Sequence, residues 1–140
     1  MIESNDVLAW LQNWQFYVRS KDYGSAMHLF REDVFSFGTV AISASGLKDL
    51  VFFQWKVVWE NSKNFTFNMD SIRFFYSKDY SLVIVAVQWF GQGLDQSSGQ
   101  FSERSGRSSI VLEKQGEKLV CTHTHFSIDP ISERKFWGTD

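Results

Sequence analysis

Two histidines near the C-terminal end of the chain, His123 and His125, have the spacing of a metal-binding pair. On a β-strand their side chains would leave the same face ~6.5–7 Å apart, so they could bind a metal if a third ligand converged on them. His28 is the only other histidine, and it falls in a separate helical pattern. We therefore expect no metal and no cofactor, and we interpret both histidines as hydrogen-bonded residues of a sheet surface or an interface.

Cys121 is not suited to act as a catalytic nucleophile. It is the single cysteine, so it forms no disulfide within the chain. It lies beside Val120 in a segment typical of a buried strand, where thiols are usually inert. Since the sequence also lacks a plausible nucleophilic triad, it gives no indication of covalent catalysis.

The last two strands decide which residues share a surface. Gln115-Gly116 has the composition of a two-residue hairpin turn between strands over 101–114 and 118–128. This turn would place Arg107 opposite Thr124. One face of the hairpin would then carry Arg107, Ser109, Thr122, Thr124 and Phe126. The other face would carry Ile110, Leu112, His123 and His125.

Arg107 is the charged residue with the most informative predicted position. Buried arginine is rare without a partner, and a guanidinium in a cavity can bind a carboxylate through two parallel hydrogen bonds. The partner of Arg107 would then be the carboxylate of a ligand. Two alternatives to ligand binding stay open: an internal ion pair of Arg107 with Asp or Glu, and a solvent-exposed place of Arg107 at the cavity rim.

Helical spacing dominates the first part of the chain. Apolar residues three and four apart predict a first helix after an N-cap at Ser4, Asn5 or Asp6, and a shorter second helix over 23–30. A third helix is predicted over 46–61, and it is apolar nearly all round, which is typical of a helix covered on most sides. Between the second and third helices, residues 34–39 are aromatic, end near glycine and predict a short strand.

A period of two replaces the helical spacing from residue 64 onward. The apolar alternation changes parity near Asp70-Ser71, which indicates a bulge that bends the strand. Three more strands are predicted over 80–92, 101–114 and 118–128. Residues 1–140 are thus predicted to form a single α+β domain. In it a strongly bent antiparallel sheet forms a cone-shaped roll around the N-terminal helices, and Phe136-Trp137 docks on the rest.

Composition restricts the partners. Fourteen Lys+Arg against sixteen Asp+Glu give a net charge of −2 without a basic cluster, so nucleic acid is not an expected partner. No apolar run approaches the ~20 residues of a membrane span, and the first residues lack the basic start of a signal peptide. We therefore expect a soluble cytoplasmic protein without a membrane partner.

Aromatic residues make up 17% of the chain, more than a filled core obviously needs. Some should line a pocket, and the candidates are Phe37, Trp55, Trp59 and Trp89.

The motifs at 106–112 (GRSSIVL) and 120–127 (VCTHTHFS) resemble the nuclear transport factor 2-like superfamily, in its SnoaL-like and ketosteroid-isomerase-like branch. The family pattern is an Arg-x-Thr-x-Val-Leu strand, a glycine turn, a tryptophan and a His-x-His-x-Ser ending. The ending is also similar to the association domain of calcium/calmodulin-dependent kinase II. The resemblance covers roughly residues 6–130, with Ser109 in place of the threonine and Leu119 in place of the tryptophan.

The resemblance implies an inside and an outside for the hairpin. A pocket arginine of the kinase association domain occupies the position of Phe126, so the face with Arg107 and Thr124 is expected inside. The anion-binding cluster of that domain does not carry over, because Phe126 replaces its arginine. The face with His123 and His125 is expected outside, on the sheet surface that commonly forms the homodimer in this superfamily.

The predicted function is therefore a homodimer whose internal pocket binds a small, partly apolar, anionic molecule. One alternative is an isomerase, cyclase or dehydratase that acts by proton transfer on a carbonyl compound. Isomerases of the superfamily use an aspartate base with a tyrosine and a protonated acid, and no positions here match that trio. The other alternative is a pure oligomerisation module.

Overall fold

In the computed structural model, which describes residues 1–130, the helices lie in the N-terminal half and the long strands follow. The helices are α1 (Ser4–Ser20), α2 (Tyr23–Met27) and α3 (residues 47–60). The strands are β1 (Phe30–Phe37), β2 (Ala44–Ser45), β3 (Ser62–Tyr76), β4 (Leu82–Leu94), β5 (Phe101–Gln115) and β6 (Lys118–Ile128). The predicted α+β class is confirmed. The predicted docking of Phe136-Trp137 lies outside the described residues.

The boundaries of the first two helices differ from the predicted ones. Helix α1 begins at Ser4 with Glu3 at the N-cap position and no side-chain cap, so the predicted N-cap at Ser4, Asn5 or Asp6 is wrong. Helix α2 is shorter than predicted because β1 already begins at Phe30. Among residues 1–130, no helix is long and apolar enough to cross a membrane.

Helix α3 changes its winding along its length. It runs as an α-helix over Leu47–Asp49, as a π-helix over Leu50–Trp55 and again as an α-helix over Lys56–Glu60. The wide π segment buries Gln54 and Trp55 and turns Phe52 and Phe53 outward, where they are 64% and 53% exposed. The expectation that this helix is covered on most sides is therefore wrong for its outer surface.

The six strands form one curved, unclosed sheet in the order β2-β1-β6-β5-β4-β3. Neighbouring strands are antiparallel except for β1 and β6, which are parallel. The parallel pair was not predicted, because β1 and β6 are remote in the chain and no hairpin sets their relative direction. The sheet wraps around the helices, with α1 packed against β3 and β6, and this confirms the cone-shaped roll.

The bend of β3 lies where the change of parity predicted it. The register with β4 shifts between Asn68 and Arg73, which confirms the bulge near Asp70-Ser71. The Ser71 hydroxyl donates to the Asn68 carbonyl at 2.7 Å and accepts from the Gln88 backbone N–H at 2.9 Å. These bonds hold the bulge in place, and the bend curls the sheet around the helices.

The predicted register of the last hairpin is wrong. Its turn is Gly116-Glu117 rather than Gln115-Gly116, with Gly116 at φ 64°, where glycine is favoured. A bulge follows in β6, because Leu112 pairs with Cys121 whereas Val111 pairs with His123. Thr122 is the extra residue.

Because side chains alternate with a period of two, this one-residue bulge brings the opposite face of β5 to the inside, compared with the predicted pairing. Arg107 and Ser109 are consequently exposed on the outer face, where Arg107 pairs with Ser127. Ile110 and Leu112 are completely buried rather than on the outer surface. The inner face of the hairpin carries Ser108, Ile110, Leu112, Thr124 and Phe126.

Candidate functional site

A cavity of about 290 Å³ lies between α3 and the inner face of the sheet. Its walls are mainly aromatic, and they are formed by Trp14, Trp55, Trp59, Phe65, Trp89 and Phe126. Five of the predicted pocket residues therefore line it from the inside, namely Trp55, Trp59, Trp89, Thr124 and Phe126. Phe37 only borders the cavity, because its ring packs against His123 and His125 on the outer face. Arg107, Ser109 and Thr122 do not line it.

Gln54 joins α3 to the loop that follows β1. Its side-chain oxygen accepts hydrogen bonds from the backbone N–H groups of Val40 and Ala41, at 3.0 and 2.7 Å, and its amide donates to the Thr39 hydroxyl at 3.0 Å. A Cβ atom on Gly38 would overlap the Gln54 side chain. The π segment of α3 thus positions a buried amide that fixes one wall of the cavity.

The hydroxyls of the inner face satisfy one another. Thr124 donates to the Ser36 hydroxyl at 2.7 Å, and both residues are buried. Ser108 donates to the Val87 carbonyl at 2.9 Å. Because the donors of Thr124 and Ser108 are already used, these two hydroxyls can only accept further hydrogen bonds.

A stack of three aromatic rings lies on the α3 side of the cavity. Trp55 stacks on Trp59 with centroids 4.7 Å apart, and Trp59 stacks on Tyr23 with centroids 5.0 Å apart. The Tyr23 hydroxyl lies 2.6 Å from a Glu60 carboxylate oxygen, to which it donates. Burial and this hydrogen bond raise the pKa of Tyr23, so the tyrosine stays protonated and serves as a structural tie.

Two cations mark the exposed end of the cavity. Lys63 and Arg104 both line it, and among the described residues no acidic side chain does. The Lys63 ammonium lies 4.0 Å from the centre of the Phe101 ring, and the Arg104 side chain lies across Gly93. Asp95 lies close enough to Arg104 for the two charges to interact. Hydrogen bonds from Ser97 hold the pKa of Asp95 low, and the Arg104 charge acts in the same direction.

Sequence reasoning missed both cations, although a signal for each was present. Arg104 has the same parity as Ser108 and Ile110, so a correct register of β5 would have placed it inside. Lys63 likewise alternates with Phe65 and Phe67 at the start of β3. Both cations lie just beyond the apolar part of their strands, where the inner face meets solvent.

Trp14 lies at the centre of the aromatic wall. Its ring centroid is 5.0 Å from that of Phe30 and 5.5 Å from that of Phe126. The residue is 3% exposed, and its indole N–H has no hydrogen-bond partner within residues 1–130. A buried donor without an acceptor is rare and costs free energy. By contrast, the Trp89 indole donates to the Arg107 carbonyl at 3.3 Å.

The outer face of the sheet carries the two histidines. His123 Nδ1 lies 2.6 Å from the Phe35 carbonyl, to which it can donate a proton, and the ring stacks on Phe35. His125 packs edge-on against Phe37. Within residues 1–130 no cluster of three potential metal ligands occurs. Cys121 is buried, and burial raises the pKa of its thiol, which disfavours the reactive thiolate.

A mainly apolar row crosses this outer face over five of the six strands. Cross-strand pairing places five residues of five strands side by side, in the order Phe75, Ile84, Val111, His123 and Phe35. Phe75, Ile84 and Phe35 are 58%, 40% and 39% exposed. The row is therefore a large apolar surface turned toward solvent.

Comparison with known proteins identifies the fold. No family sequence model and no curated protein matches the chain. A calcium/calmodulin-dependent protein kinase II association-domain protein from Xanthomonas campestris superposes with a TM-score of 0.77 at 17% identity, covering 93% of this chain and 90% of that one. A nuclear transport factor 2-like superfamily protein from Salmonella enterica gives 0.77 at 13% identity, covering 91% and 92%.

The association domain of CaMKII from C. elegans is also similar, with a TM-score of 0.69 at 19% identity, covering 88% of this chain and 93% of that one. At these identities the likeness concerns the fold. The resemblance of the motifs to the nuclear transport factor 2-like superfamily is thus confirmed as a shared fold, which hosts unrelated functions.

Proposed function

We propose that this chain is a homodimeric binding domain whose cavity takes a small, partly apolar molecule with an anionic end. The observation that carries the proposal is the composition of the cavity, which combines aromatic walls with Lys63 and Arg104 as its only charged lining residues within 1–130. Aromatic walls with a few polar groups at one end are typical of small-molecule sites. The anionic end of the ligand follows from the sign of the two charges.

A proton-transfer enzyme receives less support from the same lining. Such an enzyme needs a general base within hydrogen-bonding distance of the substrate. Among the described residues that line the cavity, none is Asp, Glu, His, Cys or Tyr. Tyr23 and Glu60, a titratable pair on the α3 side, are bonded to each other. We therefore favour binding over an isomerase, cyclase or dehydratase activity.

Acids are expected to bind this cavity better than their neutral esters. Benzoates, phenylacetates and medium-chain fatty acids, each paired with its methyl ester, form a suitable calorimetric and thermal-shift screen. A hydrogen bond to a charged group is worth about 1.5–3 kcal/mol, so Arg104→Met should weaken the binding of an acid roughly ten- to hundredfold. Both side chains are exposed, and Lys63→Met should have a similar or smaller effect because an ammonium group is more strongly hydrated than a guanidinium group.

Arg107→Met is the matched control, because Arg107 lies on the same strand with its side chain on the outer face. It should bind the acids as the wild type does. If no acid binds, or if the Arg107 variant loses affinity and the Arg104 variant keeps it, the proposed cavity and its charges are not the binding site.

The homodimer is proposed through the apolar row on the outer face, defined above by Phe75, Ile84, Val111, His123 and Phe35. Contiguous exposed apolar side chains such as Phe75, Ile84 and Phe35 often mark a protein–protein interface. A two-fold axis through the sheet would cover both copies of the row, and a stable dimer should bury about 1,200 Å² or more in total.

Ile84→Asp is expected to convert this dimer to a monomer. The aspartate would lie near the middle of the row and would have to lose its water on association. Sedimentation equilibrium at tens of micromolar should show a dimer for the wild type and a monomer for the variant. Phe16→Asp, on an apolar residue of α1 that is even more exposed than Ile84, should remain a dimer. A monomeric wild type would contradict the proposal.

We also propose that residues 1–140 form one domain and that the protein acts in the cytoplasm, without a nucleic-acid or membrane partner. The single, unpaired cysteine and the net charge of −2 support this proposal.

A further inference from the structure

The inner face of β4 carries no side chain at its last two inward positions. Alternate residues of this strand face the helices, in the order Val83, Val85, Val87, Trp89, Gly91 and Gly93. The three valines are buried in the core, whereas the tryptophan and both glycines line the cavity. At the end of β4 the wall of the cavity is therefore bare backbone.

Backbone conformation does not require glycine at position 93. Gly93 pairs with Ser62 of β3 and with Ser102 of β5, and its φ lies outside the left-handed region, so other residues could adopt this conformation. Glycine inside a strand weakens it, because it has no side chain to pack and loses more conformational freedom on folding. The reason for glycine here is the space that it leaves.

The side chain of Arg104 fills that space. Arg104 has the parity of Ser108 and Ile110, which are buried on the inner face of β5. A Cβ atom on Gly93 would lie 2.9 Å from Arg104 Nε and 3.0 Å from its Cγ. Arg104 Nη1 donates to the Ser102 hydroxyl at 3.1 Å. The arginine thus lies across β4 where this strand has no side chain, and Ser102 ties its guanidinium at the mouth of the cavity.

We infer that Gly93 is a positioning residue for the specificity of this cavity, because the space above it lets Arg104 present its guanidinium to a bound acid. The inference rests on the proposed function and adds the residue that places its charge. Within residues 1–130, the bond to Ser102 is the only hydrogen bond that the Arg104 side chain makes. A carboxylate can accept two parallel hydrogen bonds from the remaining N–H groups.

Gly93→Ala tests the inference. The three atoms nearest to the added Cβ all belong to Arg104, whose side chain is flexible and exposed. The overlap should therefore be relieved by movement of the arginine rather than of the strand. We expect a folded variant whose urea midpoint is close to that of the wild type.

The binding readout is the preference for an acid, defined as the Kd of the methyl ester divided by the Kd of the acid. The probes are phenylacetate and methyl phenylacetate, or the pair of the screen that binds more tightly, and the method is isothermal titration calorimetry. Gly93→Ala should lower the preference roughly tenfold, the lower end of the loss expected for Arg104→Met, because the guanidinium is displaced and not removed. A change in strand packing alone would weaken acid and ester alike and leave the preference unchanged.

The control is the same glycine substitution in an Arg104→Met background. Without the guanidinium, the added methyl group has no charge to displace. The double variant should therefore show the preference of Arg104→Met to within about twofold, which is the scatter of independent effects.

The possible failures are distinguishable. If Gly93→Ala keeps the wild-type preference, lowers it equally in the Arg104→Met background or does not fold, Gly93 does not act through Arg104. The inference is then overturned, and the proposed binding of acids stands. If no acid of the screen binds the wild type, the proposed function is overturned and the inference falls with it.

Discussion

Replacing Ile110 by aspartate is expected to unfold the protein, whereas the same replacement at Ser109 should leave it folded. Ile110 is completely buried on the inner face of β5, while its neighbour Ser109 is exposed on the outer face. A carboxylate at position 110 would have neither a partner nor water, and such burial belongs to the few changes that cost ~4–5 kcal/mol or more. That is comparable with the whole free energy of unfolding of many domains, ~5–15 kcal/mol.

The measurement is circular dichroism with urea unfolding of the two variants. The predicted turn at Gln115-Gly116 and the observed bulge at Thr122 give opposite expectations here, because they place opposite faces of β5 inside. A folded Ile110→Asp protein together with an unfolded Ser109→Asp protein would restore the register that the sequence suggested and refute the observed one.

Gly106→Ala is expected to have the next largest effect on stability. Gly106 lies on β5 between Trp89 and β6, and a Cβ atom there would overlap both the Ser127 carbonyl oxygen and the Trp89 ring. Since the oxygen belongs to the backbone, the strand pairing itself would have to move. Overpacking of this kind costs about 1–3 kcal/mol and occasionally more, and displacement of Trp89 would also deform the cavity.

Gly24→Ala is the control for this change. Gly24 lies in α2, and an added Cβ would meet only the Asp22 carboxylate, at 3.9 Å. Alanine in a helix is favoured over glycine by about 0.5–1 kcal/mol, so this variant should be as stable as the wild type or slightly more so. Equal urea midpoints for the two variants would show that the close approach at Gly106 is relieved without cost.

The elements of this fold could be predicted because each has a clear local pattern. The period of Val7, Leu11 and Val18 indicates α1, and the change of parity in β3 locates its bulge to within a few residues. The parallel pairing of β1 and β6 could not be predicted, since no turn joins them. The outward side of the π segment also escaped prediction, because a regular period was assumed for the whole of α3.

The aromatic part of the candidate site and Thr124 were predicted, whereas its charged part was not. Trp55, Trp59 and Phe126 were expected at the cavity because large rings on helix and strand faces turn inward wherever they can be covered. The predicted position of the charge depended on the register between β5 and β6. Because of the extra residue at Thr122, Arg104 lines the cavity and Arg107 lies on the outer face. The local sequence has no composition that marks this bulge, because threonine is an ordinary strand residue.

The concentration of indoles around the cavity gives the protein its own optical reporter. The chain has six tryptophans, and four of them, Trp14, Trp55, Trp59 and Trp89, line the cavity. The Trp55 and Trp59 rings lie almost parallel with centroids 4.7 Å apart, so their excited states should couple and produce a strong near-ultraviolet dichroic band. A guest that packs against these rings would change both that band and the emission spectrum, so binding could be followed without a label.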